Sequence, residues 1–351
     1  MGGSRFARLG VVGVLYGMAA CAGIPDPPAP LALELPPTER AAPLEPPGLE
    51  ERAIPLRYPV LPAPELPLPE PDVTWWPPRP LQASVVAIRI TPPAGPPLED
   101  VEWVRLAGAD VRVMPDGGSW VGIGALPLDS AGLFELEYAF RRGRDRVERR
   151  LLVPSRSRTY PSRRVRISAR PSTPDPDVDA RIERERALIR AALESSGATW
   201  HPEAPFRWPR QPPIKTSPFG QRRVFDGSVR SRHLGLDLRA RYGNPIRAPA
   251  AGRVALTGHF FYQGKAVYLD HGLGLVTAYF HMSSIAVEEG DLVEVGDLLG
   301  RGGSTGRSTA PHLHWSAYVG GRSVDPETLI GLTLDGGTAG ARETAGAGSS
   351  R

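Results

Sequence analysis

Residues 304–315 read Ser-Thr-Gly-Arg-Ser-Thr-Ala-Pro-His-Leu-His-Trp, and this stretch decides the fold of the last third of the chain. Alternate side chains of an extended strand point to the same side of a sheet, so a strand here places His312 and His314 side by side. The glycine-rich run 302–306 precedes them and predicts the turn that leads into the strand. The stretch therefore predicts a β-strand that presents two imidazoles on one face.

Two other stretches contain residue types that suit the same chemistry. Residues 233–237 read His-Leu-Gly-Leu-Asp, and residues 277–281 read Thr-Ala-Tyr-Phe-His. By the same alternation, Tyr279 and His281 are expected on one face of a second strand. Two imidazoles and one carboxylate suit Zn²⁺ and leave a fourth position for water, while further imidazoles suit proton transfer near neutral pH. All seven histidines follow residue 200, so metal or acid–base chemistry belongs to this part of the chain.

In this order, the three stretches resemble the lysostaphin-type zinc endopeptidases, the LytM-like family of bacterial peptidoglycan hydrolases. The resemblance covers about residues 214–330. Supporting runs are Ser-Pro-Phe-Gly-Gln-Arg at 217–222, Ala-Pro-Ala-Ala-Gly at 248–252 and Leu-Asp-His-Gly-Leu-Gly at 269–274. The family implies a C-terminal antiparallel β domain of the duplicated-hybrid-motif type, with a groove across one face.

The resemblance also implies a role for each site residue. It implies that Zn²⁺ is held by His233, Asp237 and His314, and that His281 and His312 form the catalytic pair beside the metal. In the implied reaction zinc polarises the scissile carbonyl and activates a water molecule, and the two histidines transfer protons. The sequence does not decide which histidine is the base. The implied substrate is the peptide cross-links between the stems of peptidoglycan.

Three alternatives stay open at this point. Related domains that have lost their ligands activate other cell-wall hydrolases or only bind peptidoglycan; the complete ligand set favours catalysis.

Residues 302–306 also fit the G-x-S-x-G pattern of serine hydrolases, but that motif needs a helix after it, whereas Pro311 and the alternation over 312–318 favour a strand. Tyr279 either donates a hydrogen bond to the oxyanion or packs in the core. For His271 we expect a structural role.

The remainder of the chain predicts a mainly β protein with several parts. Short alternating runs over 81–169 predict an Ig-like β-sandwich with a positioning or binding role. Residues 170–213 predict a helical linker, with its helix over Asp177–Ser196, where apolar residues recur at helical spacing. Residues 214–334 form the expected endopeptidase domain, and the loop 200–213 is a candidate inhibitory segment. Residues 335–351 are rich in Gly, Ala, Ser and Thr and predict a disordered tail.

The N-terminus predicts export and a lipid anchor. Residues 1–20 combine Arg5 and Arg8 with a short apolar run that is too short to span a bilayer, which is typical of a signal peptide. Cys21, the one cysteine, follows Met-Ala-Ala as in a bacterial lipobox, although an ordinary cleavage site beside an incidental cysteine would look similar. We therefore expect a protein on the periplasmic side of the cell envelope, attached to a membrane through Cys21. Residues 21–80 would act as a proline-rich tether, since 19 of the residues 22–80 are proline.

Cysteine and charge exclude other classes. One cysteine excludes an intramolecular disulfide framework and a Cys-rich zinc finger. Lys and Arg number 42 against 38 Asp and Glu, and eleven arginines fall within residues 141–166. We interpret that run as a solvated hairpin rather than a nucleic-acid patch, because no nucleic-acid-binding motif accompanies it, and no nucleic-acid partner is expected. The sequence leaves the oligomeric state open.

Overall fold

The computed structural model describes residues 70–93, 100–142, 144–164, 175–225 and 228–334, all within one compact unit. The predicted signal peptide, Cys21 with its lipid, the tether as far as residue 69 and the tail from 335 lie outside these residues. In the described part, no helix has the length and apolar character that a bilayer crossing needs. The described chain is mainly β, which confirms the predicted fold class.

A two-sheet sandwich forms the N-terminal part of the described chain. Its strands are β1 (Asp72–Trp76), β2 (Val85–Thr91), β3 (Asp100–Leu106), β4 (Ala109–Val111), β5 (Val113–Asp116), β6 (Ser119–Ala125), β7 (Gly132–Arg142) and β8 (Asp145–Ser155). They form two antiparallel sheets, in the orders β1-β2-β6-β5 and β4-β3-β7-β8, which pack through a shared apolar core. Strand β1 lies inside the range assigned to the tether, so the sandwich begins at residue 72 and not at 81.

Strand β2 of the first sheet is buried on both faces. Val86 and Ile88 point to the second sheet, whereas Val85 and Ala87 join the core of the C-terminal domain. This double burial explains why β2 is an almost unbroken apolar run rather than an alternating one. Strand β2 therefore contributes to two cores, and the core of the C-terminal domain extends onto the first sheet of the sandwich.

Helix α1 (Pro176–Glu194) confirms the helix predicted for the linker. It begins where the Asp175 side chain accepts a hydrogen bond from the Asp177 backbone N–H at 3.0 Å, with proline in the first turn. Its apolar stripe, which includes Ile189, Ala192 and Leu193, packs against one face of the large C-terminal sheet. The helix is thus part of the folded body and not only a spacer.

The C-terminal domain is built around a ten-stranded sheet. The remaining strands are β9 (Ser162–Arg164), β10 (Lys215–Ser217), β11 (Arg222–Phe225), β12 (Ser228–Arg232), β13 (Leu236–Leu238), β14 (Pro245–Arg247), β15 (Gly252–Phe260), β16 (Gly264–Gly272), β17 (Leu275–Ile285), β18 (Leu292–Val293), β19 (Leu298–Gly302), β20 (Leu313–Val319) and β21 (Arg322–Val324). A 3-10 turn, Pro326–Leu329, follows them. The main path of the sheet is β10-β13-β20-β17-β16-β15-β18, and all its pairings are antiparallel.

A separate three-stranded sheet has the order β12-β11-β9, with β9 parallel to β11. Strand β9 belongs to the range that the sequence assigned to the sandwich. It nevertheless pairs with β11 of the C-terminal domain and extends along the edge of the β11–β12 hairpin.

The face that holds the candidate site is set by alternation in β20. Leu313 and Trp315 point into the core of the domain and are fully buried. His314 and Ser316 point to the opposite face. Phe280, which stacks on His314, belongs to the apolar cluster through which helix α1 packs on that face. Sequence alternation therefore predicted correctly that His312 and His314 share a face.

Candidate metal centre

Three ligand atoms converge on one point of that face. Nε2 of His233 lies 3.1 Å from Oδ1 of Asp237 and 3.0 Å from Nδ1 of His314. Nδ1 of His314 lies 2.9 Å from the same Asp237 oxygen. The atoms thus form a nearly equilateral triangle. The three residues that the family resemblance implied as ligands are the three that the structure brings together.

Strand pairing places two of the three side chains. Asp237 on β13 lies directly opposite His314 on β20, so their side chains leave the sheet as neighbours on the same face. Gly235 makes room for them: a Cβ at this position would lie 2.2 Å from Nε2 of His314. A side chain larger than hydrogen at residue 235 would therefore displace the imidazole.

A bulge at the base of the β11–β12 hairpin places His233. The Gly220 N–H donates to the His233 carbonyl at 2.7 Å, and the His233 N–H donates to the Gln221 carbonyl at 3.0 Å. Gly220 and Gln221 thus lie opposite the single residue His233. Gly220 has a φ of +74° and occupies the glycine position of a G1 bulge. The bulge extends the ladder as far as His233, which explains how a residue after the strand is held firmly.

Outer hydrogen bonds indicate the tautomer of the two candidate ligands His233 and His314. The Pro218 carbonyl lies 2.9 Å from Nδ1 of His233 and can only accept, so the proton of His233 is on Nδ1. The Ser316 hydroxyl donates its one proton to the Leu234 carbonyl at 3.0 Å and therefore accepts from Nε2–H of His314 at 2.9 Å. In the neutral form of each ring, the nitrogen that faces the carboxylate is therefore the one without a proton.

The chemistry of the three groups is compatible with a bound metal ion. Burial raises the pKa of Asp237, but the adjacent His233 and His314 outweigh it and hold the pKa well below its ordinary value. Burial lowers the pKa of His314 despite the nearby carboxylate. A carboxylate oxygen and two imidazole nitrogens thus lie about 3 Å apart, and zinc accepts both types of ligand atom. Ligand bonds of 2.0–2.1 Å in a tetrahedral site separate ligand atoms by about 3.3 Å, so the triangle fits a small divalent metal.

His281 reaches the site through an irregularity in β17. Tyr279 pairs with Val267 of β16, but Met282 pairs with Lys265, so Phe280 and His281 together stand opposite one residue. His281 has a φ of +64° and breaks the alternation of the strand. The prediction that Tyr279 and His281 share a face is therefore wrong: Tyr279 is in the core, and His281 faces the ligands.

His281 and His312 lie beside the three ligands as a pair, with ring centres 4.8 Å apart. Nδ1 of His281 donates to the Thr305 carbonyl at 2.8 Å, and Nδ1 of His312 donates to the Ala310 carbonyl at 2.7 Å. Each ring is thereby left with a free Nε2, and that of His312 is 3.7 Å from Oδ1 of Asp237. Burial lowers the pKa of His281 to about 4, so this imidazole is neutral near pH 7.

The comparison with known proteins agrees with this geometry. The profile of peptidase family M23 matches residues 231–326, which contain all five site residues. The crystal structure of a putative M23 peptidase from Pseudomonas aeruginosa is 30% identical, with 73% of this chain and 96% of that chain covered and a TM-score of 0.55. This chain belongs to peptidase family M23. The resemblance to the lysostaphin-type family that the sequence indicated is confirmed.

Curated relatives match about a third of this chain. DD-carboxypeptidase/endopeptidase Mpg of Neisseria meningitidis is 40% identical over 32% of this chain and 26% of its own length. Peptidoglycan DD-endopeptidase ShyA of Vibrio cholerae is 37% identical over 31% of this chain and 26% of its own length. This chain therefore spans about a quarter of the length of these relatives.

Two side chains beside the M23 ligands had no role in the sequence prediction. Ser316 accepts the outer proton of His314, and Phe280 stacks on the His314 ring with centres 5.2 Å apart and planes inclined by 5°. Ser316 continues the alternation of His312 and His314, so the strand pattern contained a signal for it. Phe280 had none, because the bulge after it was not visible in the sequence.

Other residues singled out in the sequence face away from the ligands of the M23 domain. The Tyr279 hydroxyl is buried and lies 2.7 Å from the Thr277 hydroxyl, which favours packing over an oxyanion contact. In the loop 200–213, Trp208 packs on Trp315, on the side of β20 opposite to His314. The G-x-S-x-G run follows β19 and leads into β20, so it is a turn between strands and not a nucleophile elbow.

Proposed function

We propose that this protein is a zinc-dependent endopeptidase that hydrolyses peptide cross-links of bacterial peptidoglycan. The observation that supports this most directly is the triangle of His233, Asp237 and His314, in which a carboxylate oxygen and two imidazole nitrogens meet. Two imidazoles and one carboxylate are the donor set of a catalytic zinc site with a free fourth position. Bound there, Zn²⁺ would supply Lewis-acid polarisation of the scissile carbonyl and would lower the pKa of a water molecule.

The chain's own histidines handle the protons of the reaction. The rings of His281 and His312 lie with their centres 4.8 Å apart, and each donates through Nδ1 to a backbone carbonyl, which leaves Nε2 for proton transfer. An imidazole that is neutral near pH 7 accepts a proton from the attacking water, and the leaving amine nitrogen takes up a proton as the peptide C–N bond breaks. We assign both transfers to this pair. The complete set of ligands and proton carriers supports a catalyst over a regulator that has lost its ligands.

We propose the same setting that the sequence predicts, namely the cell envelope outside the cytoplasm with a lipid on Cys21. The peptidoglycan substrate of the relative ShyA supports this setting.

Metal dependence and digestion of isolated peptidoglycan test the function together. We expect the purified full chain to release soluble peptide fragments, a chelator to stop the release, and added Zn²⁺ to restore it. Asp237→Asn should reduce the rate by about a thousandfold or more, since a metal contributes several kcal/mol of transition-state stabilisation. Mass spectrometry of the metal content should show that this variant no longer holds one zinc per chain.

The matched control is Asp145→Asn, a loss of the same charge at an exposed position of β8. It should retain both zinc and digestion. Digestion that survives both the chelator and Asp237→Asn would exclude the proposed mechanism.

A further inference from the structure

The three-stranded sheet β12-β11-β9 has a strongly basic composition. Its strands read Ser-Arg-Arg, Arg-Arg-Val-Phe and Ser-Val-Arg-Ser-Arg, so half of their twelve residues are arginine. None of the three strands contains an aspartate or a glutamate. The hairpin β11–β12 leads directly into the candidate ligand His233, which puts this charge at the edge of the site.

The five arginines of strands β7 and β8 in the neighbouring sandwich differ from those of this sheet. On β7 and β8, ion pairs join Arg141 and Arg146 to Glu102, Arg149 to Glu70, and Arg150 to Glu135. This confirms the interpretation of the run as a hairpin surface for its part on β7 and β8, whereas Arg163 and Arg164 of the same run lie on β9. The exposed Arg163 and Arg223 form no ion pair with any residue that the structure describes.

Strand register places Arg163 and Arg223 on the same face as His233. Arg163 lies directly opposite Arg223, and Arg223 lies directly opposite Ser231. His233 follows Ser231 by two residues on a ladder that the Gly220 bulge extends, so alternation gives both the same face. Standard strand spacings then put the Cα atoms of Arg223 and His233 about 8 Å apart, within reach of an arginine side chain.

The opposite face of the sheet is already occupied. Arg232 forms an ion pair with Asp129 of the sandwich at 2.8 Å and lies over the Tyr160 ring, 5.5 Å from its centre. Arg163 and Arg223 instead face outward as like charges in directly opposite positions, an arrangement that destabilises a sheet unless an anion lies between them. Paired guanidinium groups are suited to bidentate binding of a carboxylate.

We infer that Arg163 and Arg223 form a carboxylate-binding subsite, which holds a free carboxylate of the peptide substrate beside the metal centre. The inference rests on the proposed function, because it assumes that the substrate is a peptide that lies along this face. The subsite makes the enzyme selective for acidic stem peptides over the same peptides with their carboxylates amidated.

Two synthetic cross-linked stem peptides, identical except for free carboxylates or carboxamides, test this inference. With the full chain loaded with zinc, we expect kcat/KM to be about tenfold higher for the carboxylate peptide, through KM rather than kcat. The double variant Arg163→Gln/Arg223→Gln should lose that preference and leave the carboxamide peptide unaffected. Arg223→Lys should retain part of the preference, because it keeps the charge without the bidentate geometry.

The matched control is Arg144→Gln, which removes one exposed positive charge from the β7–β8 turn of the sandwich. It should leave the preference for the carboxylate peptide intact. In the unaltered chain and in this control, that preference should become smaller with added salt. Equal rates on the two peptides, or an equal loss on both in the double variant, would overturn the inference.

Calorimetry of the same peptides with protein whose metal has been removed by a chelator separates the two proposals. If neither peptide is cleaved but the carboxylate form binds more tightly, the proposed function fails and the subsite stands. If cleavage occurs without any difference in affinity or KM, the subsite fails and the proposed function stands. Absence of any carboxylate preference in binding and in cleavage contradicts the subsite in every case.

Discussion

His271 and His314 lie on the same sheet, but their hydrogen bonds differ in one decisive respect. Nδ1 of His271 donates to the Ala251 carbonyl at 2.7 Å, and its Nε2 accepts from the Thr277 hydroxyl at 2.8 Å, so both ring nitrogens are satisfied inside the core. His314 has an outer partner on one nitrogen only, and the other faces two more acceptors. A buried histidine with two ordinary hydrogen-bond partners has a structural role, whereas one with a nitrogen left facing other acceptors is a candidate metal ligand.

The largest effect is expected for a histidine that faces the ligands without belonging to them. His312→Gln should lower kcat/KM by about 10²–10⁴-fold, because a positioned proton carrier contributes that much. Zinc content should stay at one per chain, since the three ligand atoms are unchanged. Peptide cleavage and metal analysis on the same preparation measure both quantities.

His259→Gln is the control for that variant. His259 is exposed on β15, and its imidazole forms no hydrogen bond or ion pair with the residues that the structure describes. Its replacement should change neither quantity. Full activity in His312→Gln would mean that His312 does not transfer a proton, and loss of zinc would mean that it is a ligand.

The site could be predicted from sequence wherever the strands are regular. His312 and His314 follow period-2 alternation, and β13 pairs with β20 so that Asp237 meets His314. The face of His281 could not be predicted, because it depends on a bulge and a positive φ that pairing with β16 creates. No local pattern announces such a bulge, so alternation put Tyr279 and His281 together.

The fold shows the same division between local and long-range causes. Helix α1 was predictable from its own spacing and cap. Two features needed contacts across the chain: the double burial of β2 between the sandwich core and the C-terminal core, and the pairing of β9 with β11. In both cases the deciding partner lies more than thirty residues away, beyond what a sequence window contains.

The second prediction concerns His271, whose two ring nitrogens both have a hydrogen-bond partner. Burial lowers the pKa of His271 from 6.5 to about 4, so the unfolded chain binds one more proton than the folded chain between these pH values. The neutral His271 therefore contributes about 3 kcal/mol to the free energy of unfolding above pH 6.5. This contribution is lost as the pH falls toward 4.

Urea unfolding of metal-free protein between pH 4 and pH 8 measures this loss. His271→Gln should be less stable at pH 7, yet its unfolding free energy should fall less steeply below pH 6.5, because no imidazole has to become charged at that position. The other histidines are common to both proteins and cancel in the difference. Parallel curves for the two proteins would show that His271 does not remain neutral through burial.

The smallest effect is expected for the partner that separates His314 from His271. The Ser316 hydroxyl accepts the outer proton of His314 and so keeps the bare nitrogen turned toward Asp237. Ser316→Ala removes that partner without removing a ligand. Loss of such an outer hydrogen bond weakens metal binding by about 10–100-fold. Competition with a chelator of known affinity measures the change.

Ser283→Ala is the control, since Ser283 donates only to the Arg301 and Gly302 carbonyls, away from the ligand atoms. Its zinc affinity should equal that of the unaltered chain. If Ser316→Ala also binds zinc as tightly, the orientation of His314 must come from its stacking on Phe280 and its strand pairing with that residue. The contrast with His271 would then rest on the position of the ring in the sheet and not on its hydrogen bonds.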